Sequence, residues 1–364
     1  MNHRDVSPQA SPERILVAVC TSLSSPILPR TLESVAQSAA QLPETSTMVV
    51  VVVNHPEHQA VSDYSEAHTL LRKWERSGQN RFPEICPERG IPHARNHALA
   101  WAKRESIEWL AFIDDDCVAD VAWLEQLVRT QREHSADVVA GSWQLVPDGN
   151  PSPLIPKKLW EHRTYEFHGK KTESGDRIPY AYTRSVFFRV EGNPLIKAGL
   201  SFDVSRTKLG GSDVLFFREL SRAGQVLVFS DTSKVFEYFG GERLTYRWLL
   251  KRSIRNVQFR IERSLNGEPF YSRSIMILSC RRLIVQWTGI RIAGPPVLAL
   301  VQKRLNRIWM KFNSGEALTP PVLMETIGAF GLSFARVVGA LLLIGGFRQE
   351  SYSPAPRPSW REDK

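Results

Sequence analysis

Residues 109–116 read WLAFIDDD: five apolar residues that run, with no turn residue between, into three aspartates. A short apolar run without polar alternation is a strand buried on both faces, and such a strand needs helices above and below it, as in a parallel sheet. Two more such runs lie upstream, RILVAVCT at 14–21 and MVVVVV at 48–53, and between them Leu32, Val35 and Ala39 fall at helical spacing. The chain therefore opens as a βαβ unit, and an α/β fold with a mainly parallel sheet flanked by helices is expected. Further along, a helix carrying Ala94, Ala98 and Trp101 follows the turn GIPHARN at 90–96, a helix is expected over 121–134 and a strand over 137–146. The segment AYTRSVFFRV at 181–190 reads as a strand, 214–222 as a helix stopped by Gly224, and VLVFS at 226–230 as another strand. Residues 147–179, rich in Pro, Gly, Lys and Glu without periodicity, read as a loop or lid. No internal repeat is present.

With 364 residues, 42% of them hydrophobic, the chain is long enough for one large domain and an appendage. The polar opening, residues 1–13, lacks an apolar core and reads as a disordered leader rather than a signal peptide. Cys20, Cys86, Cys117 and Cys280 are far apart and form neither a CxxC pair nor a Cys/His cluster, so neither a disulfide framework nor a structural zinc site is suggested, and a reduced, cytosolic setting fits.

The net charge of +9 is concentrated in one block: residues 243–311 hold fifteen Lys and Arg against two acids, Glu262 and Glu268. Apolar residues interleave the charges, as in RRLIVQWTGIRIAGPPVLALV at 281–301, and the block runs into the most hydrophobic part of the chain. An anionic membrane surface or a phosphorylated lipid fits this better than nucleic acid, with a solvated basic face as the plain alternative. Residues 327–347 are apolar apart from Arg336, long enough to span a bilayer at about 1.5 Å per residue. A central arginine costs about 2.5–3.5 kcal/mol on insertion, so a span, an interfacial helix and a buried helix stay open. Each leaves the remainder at the cytoplasmic face. The expected organisation is a leader over 1–13, a catalytic domain over 14–242, a basic amphipathic helical region over 243–311, and a hydrophobic membrane-associated segment with a polar tail over 312–364.

In open α/β sheets ligands gather at the carboxyl ends of the strands. Three consecutive carboxylates there repel one another unless a cation joins them, and hard oxygen ligands suit Mg2+ or Mn2+ bridging phosphate oxygens. A helix N-cap ahead of Val121 and a solvated turn are the structural alternatives. The second feature is LGGSD at 209–213, which presents Asp213 ahead of a helix, either as an N-cap or as a carboxylate able to take a proton from a hydroxyl. The third is Arg95, at the start of a helix, where a guanidinium meets an anionic or carbonyl oxygen.

In their order, these pieces resemble the family-2 glycosyltransferases of the GT-A fold: a strand and loop, a strand ending in Asn54, G-x-x-x-ARN, an apolar strand with DDD, and FD followed by GGSD. The resemblance covers about residues 14–255. It implies a nucleoside-diphosphate sugar donor, Mg2+ or Mn2+, and inversion by single displacement. It implies donor contacts at Thr21, Asn54, Arg95, Asp114 and Asp115, with Asp114 meeting the ribose or bridging to the ion, a metal ligand in Asp116, and a catalytic base in Asp213. The stretch at 240–256, GGERLTYRWLLKRSIRN, is similar to the E-R-L-T-x-x-W-L-x-x-R segment of exopolysaccharide-type members through Glu242, Arg243, Leu244, Thr245, Trp248, Leu249 and Arg252. There Glu237, Trp248 and Arg252 would contact acceptor or phosphate, although packing Trp248 inward from an amphipathic helix reads equally well. A lipid-linked or polysaccharide acceptor in envelope or exopolysaccharide synthesis follows. Two positions depart from the pattern: Asn54 replaces an acid, and Ser212-Asp213 replaces Glu-Asp. Those departures keep a non-catalytic sugar-nucleotide-binding protein in view. A nucleotidyltransferase is the other alternative, but SLSSPILPR at 22–30 lacks the Gly-rich phosphate loop it requires.

Overall fold

The computed structural model describes residues 12–54, 65–76, 78, 80–155, 162–163, 166–167 and 170–265. They divide into two compact units, the first holding 12–146 and 162–238, the second 147–155 and 239–265.

The first unit begins with β1 (Arg14–Thr21), α1 (Leu28–Ala39), β2 (Ser46–Asn54), α2 (Ser65–Arg76), β3 (Arg81–Cys86), α3 (Ile91–Arg104) and β4 (Trp109–Asp114). β1 pairs in parallel with both β2 and β4, and β2 with β3. Side chains alternate across β1: Leu16, Ala18 and Cys20 enter one apolar layer with Ala94, Ala98 and Phe112, while Ile15, Val17 and Val19 enter the other with Leu32, Val35 and Trp123. Burial on both faces is why these strands carry no polar alternation.

Beyond β4 the expected parallel sheet gives way to a mixed one. β5 (Cys117–Ala119), α4 (Trp123–His134), β6 (Val138–Pro147), the short β7 (His162–Arg163), β8 (Glu166–Phe167) and β9 (Lys170–Lys171), β10 (Ser185–Arg189), α5 (Pro194–Lys197), α6 (Ser212–Arg222) and β11 (Leu227–Phe239) follow. The sheet runs β3-β2-β1-β4-β10-β6-β11-β5, with β10 antiparallel to both β4 and β6, and β11 antiparallel to β5. The physical reason is the connection: β10 arrives from a long irregular segment rather than from a helical crossover, so nothing imposes the parallel direction. α2, β3 and β5 are additions to the elements read from sequence, and β11 runs nine residues past Ser230.

In the second unit a 3-10 turn at Gly241–Leu244 leads into α7 (Tyr246–Leu265). The Asp148 and Ser152 N–H groups donate to the carbonyls of Phe239 and Leu244, at 2.8 and 2.9 Å. Arg247 and Lys251 are exposed and Ser253 is buried, as an amphipathic helix demands. The rest of the basic block, residues 327–347 and most of the leader lie outside the described residues. Among the described residues no helix is long and apolar enough to cross a membrane.

Candidate active site

The three aspartates occupy the corner where β4 turns into β5, and each has different surroundings. Asp114 ends β4 and lies 3.9 Å from the buried guanidinium of Arg95. Asp115 accepts a hydrogen bond from the Thr21 hydroxyl at 2.6 Å, and its carbonyl accepts from Thr31 at 3.1 Å, so the end of β1 and the start of α1 grip the turn. The carbonyl of Asp116 accepts from the N–H of Tyr238 at 2.8 Å. None of the three caps α4, whose N-cap position is Ala122.

Arg95 knits the site together. From the first turns of α3 it donates to the hydroxyls of Thr183 and Ser212, lies beside Asp114 and sits 5.8 Å over the ring of Phe202. Its neighbour Asn96 clamps the backbone of Phe202 from both sides, donating to the carbonyl at 2.8 Å and accepting from the N–H at 2.7 Å. Gly90 makes the close approach possible, since its φ is +126° and a Cβ there would stand 2.3 Å from Thr207 Cγ2. Asn54 holds the same loop, accepting from Gly90 N–H at 2.8 Å and donating to the Glu88 carbonyl at 2.6 Å. The amide read as a nucleoside contact thus serves the loop between β3 and α3.

Asp213 stands half-buried in the first turn of α6. Gly210 and Gly211, both left-handed with φ of 74° and 78°, make the sharp entry into the helix. Gly211 holds the N-cap position and no side chain caps the helix, so Asp213 is not an N-cap. Ser212, not Asp213, carries the bond to Arg95.

β11 brings the fourth carboxylate. Its pairing with β5 sets Glu237 opposite Cys117, one residue from Asp116. Glu237 forms an ion pair with Arg184, a residue that the sequence reading had placed only within a strand. The guanidinium of Arg184 lies 4.8 Å from the ring of Trp143 and 5.3 Å from that of Tyr182. Burial opposes its charge most, but Glu237, Asp114, Cys117 and Tyr182 together raise Arg184 above its ordinary range. Arg30, at the start of α1, donates to the Tyr238 hydroxyl at 3.0 Å.

The balance of charge at the corner is negative: Asp114, Asp115, Asp116 and Glu237 outnumber Arg95, Arg184 and Arg30. The Asp114 side chain is 40% open to solvent. The protein packed around it, with Asp116 and Glu237 close by, nevertheless pushes its acid up to about 6 against the pull of Arg95 and Arg184. Among the described residues no three His, Cys, Asp or Glu side chains converge into a metal cage. Excess negative charge without a cage fits an ion of the Mg2+ type, held by one or two carboxylates and completed by phosphate oxygens. Trp248 and Arg252 belong to the second unit, where the guanidinium lies 5.0 Å from the indole one helical turn away.

Residues 15–191 match the family model described as Glycosyl transferase family 2. The succinoglycan biosynthesis protein ExoM of Rhizobium meliloti (strain 1021) is 29% identical over 251 residues, covering 66% of this chain and 72% of that protein. Among solved structures, the mannosyltransferase PcManGT from Pyrobaculum calidifontis, in complex with GDP-Man and Mn2+, aligns with a TM-score of 0.52 at 18% identity, over 93% of this chain and 90% of that one. That likeness is one of fold. The family match ends before Asp213.

Proposed function

We propose that the chain is a family-2 glycosyltransferase that moves a sugar from a nucleoside-diphosphate donor to a glycan or lipid-linked acceptor, with inversion at the anomeric carbon. The observation that carries this reading is the meeting, through the buried Arg95, of the carboxylate corner after β4 and the start of α6. Asp116, with Asp114 beside it, would hold a divalent ion, Mg2+ or Mn2+, whose charge would neutralise the diphosphate leaving group. Asp213 takes the proton of the acceptor hydroxyl as its oxygen bonds to the anomeric carbon. The bond from that carbon to the diphosphate oxygen breaks on the opposite face, and a single displacement of this kind inverts the centre. Arg95 fixes Asp114 and, through Ser212, the first turn of α6, so donor site and base keep a set spacing. Similarity to ExoM supports a place in exopolysaccharide or cell-envelope synthesis. The reaction is read as release of nucleoside diphosphate, expected with Mg2+ or Mn2+ and absent in excess chelator; full turnover in chelator contradicts the reading.

We place this activity at the cytoplasmic face of a membrane. The basis is the basic block from residue 243 onward, of which α7 shows exposed Arg247 and Lys251. Each such side chain near an anionic surface contributes about 1 kcal/mol. The full chain is expected to sediment with anionic vesicles and a chain truncated after Glu242 to stay in the supernatant. Docking through the basic block loosens in high salt, whereas a span through 327–347 resists salt and alkali. A full chain that ignores anionic vesicles and stays soluble without detergent removes both forms.

A further inference from the structure

Glu237 is the carboxylate of the corner that does not belong to the aspartate turn, and its position is unusual. The β11–β5 pairing sets it one residue from Asp116, near enough for its charge to act on Asp114. A carboxylate so placed is a natural further ligand for any divalent ion on the turn. Instead its oxygen is taken by Arg184, and the pair is nearly closed off, with 17% of the Arg184 side chain and 12% of that of Glu237 exposed. The arginine is itself fixed. The pairing of Ser185 with Ile113 sets Arg184 level with Asp114. Trp143 and Tyr182, which meet edge-on at 5.8 Å, both lie beside its guanidinium, and its Nε is buried with no hydrogen-bond partner among the described residues. An Nε left bare in this way carries a cost.

We infer that Arg184 is a positioning residue of the donor site: by holding Glu237, it keeps an additional carboxylate off the ion at the Asp114–Asp116 turn, so that donor phosphates complete the coordination. The proposal rests on the metal-dependent reading above. It accounts for the absence of a three-carboxylate cage among the described residues despite four carboxylates at one corner. Affinity for a hard cation rises with the number of charged ligands, so a site with Glu237 released grips the bare ion more tightly and leaves fewer positions for phosphate. Arg184 thereby makes tight ion binding depend on the donor.

The test is Mn2+ binding to the full-length protein by isothermal titration, alone and with UDP or GDP, alongside thermal unfolding. The parent is expected to bind Mn2+ weakly alone and more tightly with one of the nucleotides. Arg184→Gln is expected to bind Mn2+ alone about tenfold more tightly, because one more charged ligand joins the ion, with the gain from nucleotide reduced. Adding Glu237→Gln to Arg184→Gln returns the parental affinity. A merely structural role for Arg184 predicts weaker binding, so unchanged or weaker Mn2+ affinity in a folded Arg184→Gln overturns the inference. Should that variant fail to fold, Glu237→Gln alone decides. Unchanged Mn2+ affinity supports the inference, and a large loss makes Glu237 a ligand and overturns it. A parent that takes up no Mn2+ under any of these conditions overturns the metal-dependent reading itself.

Discussion

Asp116→Asn is expected to abolish metal-dependent donor binding while leaving the protein folded. The argument is the division of labour at the corner. Asp115 is tied to Thr21 and Asp114 lies against Arg95, whereas the turn is fastened to β11 through the backbone carbonyl of Asp116, which the substitution leaves in place. Asparagine keeps the shape and removes one negative charge and one anionic ligand. Where a protein supplies only one or two carboxylates to an ion, loss of one leaves too little to hold it with the donor. Isothermal titration of UDP and GDP in Mn2+ is expected to show no binding at concentrations that saturate the parent, with an unchanged melting temperature. Parental affinity for nucleotide and ion in the variant rules out the metal site as assigned.

Asp213→Asn is expected to lower kcat by about 10² or more, the scale of a positioned general base, with donor Kd nearly unchanged. The two glycines before α6 fix the approach of the chain, Gly211 holds the N-cap position, and Ser212 makes the bond to Arg95. The local structure therefore does not depend on the carboxylate of Asp213, and the effect falls on proton transfer. Steady-state kinetics separate the two quantities. Equal turnover in the variant moves the base elsewhere, with Glu237 next, although its pairing to Arg184 sets it a different task.

The parallel half of the sheet was legible in the sequence because burial on both faces leaves an apolar run that no surface segment imitates. β3 escaped because RFPEIC carries Pro83 and Glu84, and Glu84 finds partners in Trp101 and His97 only once α3 is in place. β5 has three residues, too few to set a period. The second half of β11 did leave a trace, the alternation of buried Val235, Glu237 and Phe239 in KVFEYF, hidden behind the polar DTSK that precedes it. In the site, the aspartate turn and the Gly-Gly-Ser-Asp entry were visible as local patterns. Arg95 was visible only as a cation at a helix start, because its worth comes from three segments that meet in space. Arg184 was not visible at all: its partner lies fifty-three positions away, and only the register of β10 on β4 brings it level with the aspartates. Asn54 was legible as a polar residue at a strand end, but its bonds to the Glu88 carbonyl and the Gly90 N–H could not be read from sequence, since they need the loop between β3 and α3 in place.

The central claim, sugar transfer from a nucleoside-diphosphate donor by single displacement, is tested most directly by proton NMR of the purified full-length protein with Mn2+ or Mg2+ and a panel of nucleoside-diphosphate sugars. The account predicts metal-dependent release of nucleoside diphosphate from one donor, water or an added glycan taking the sugar, with the first-formed anomer opposite in configuration to the donor. Turnover that persists in excess chelator, or a first-formed anomer of retained configuration, would contradict it.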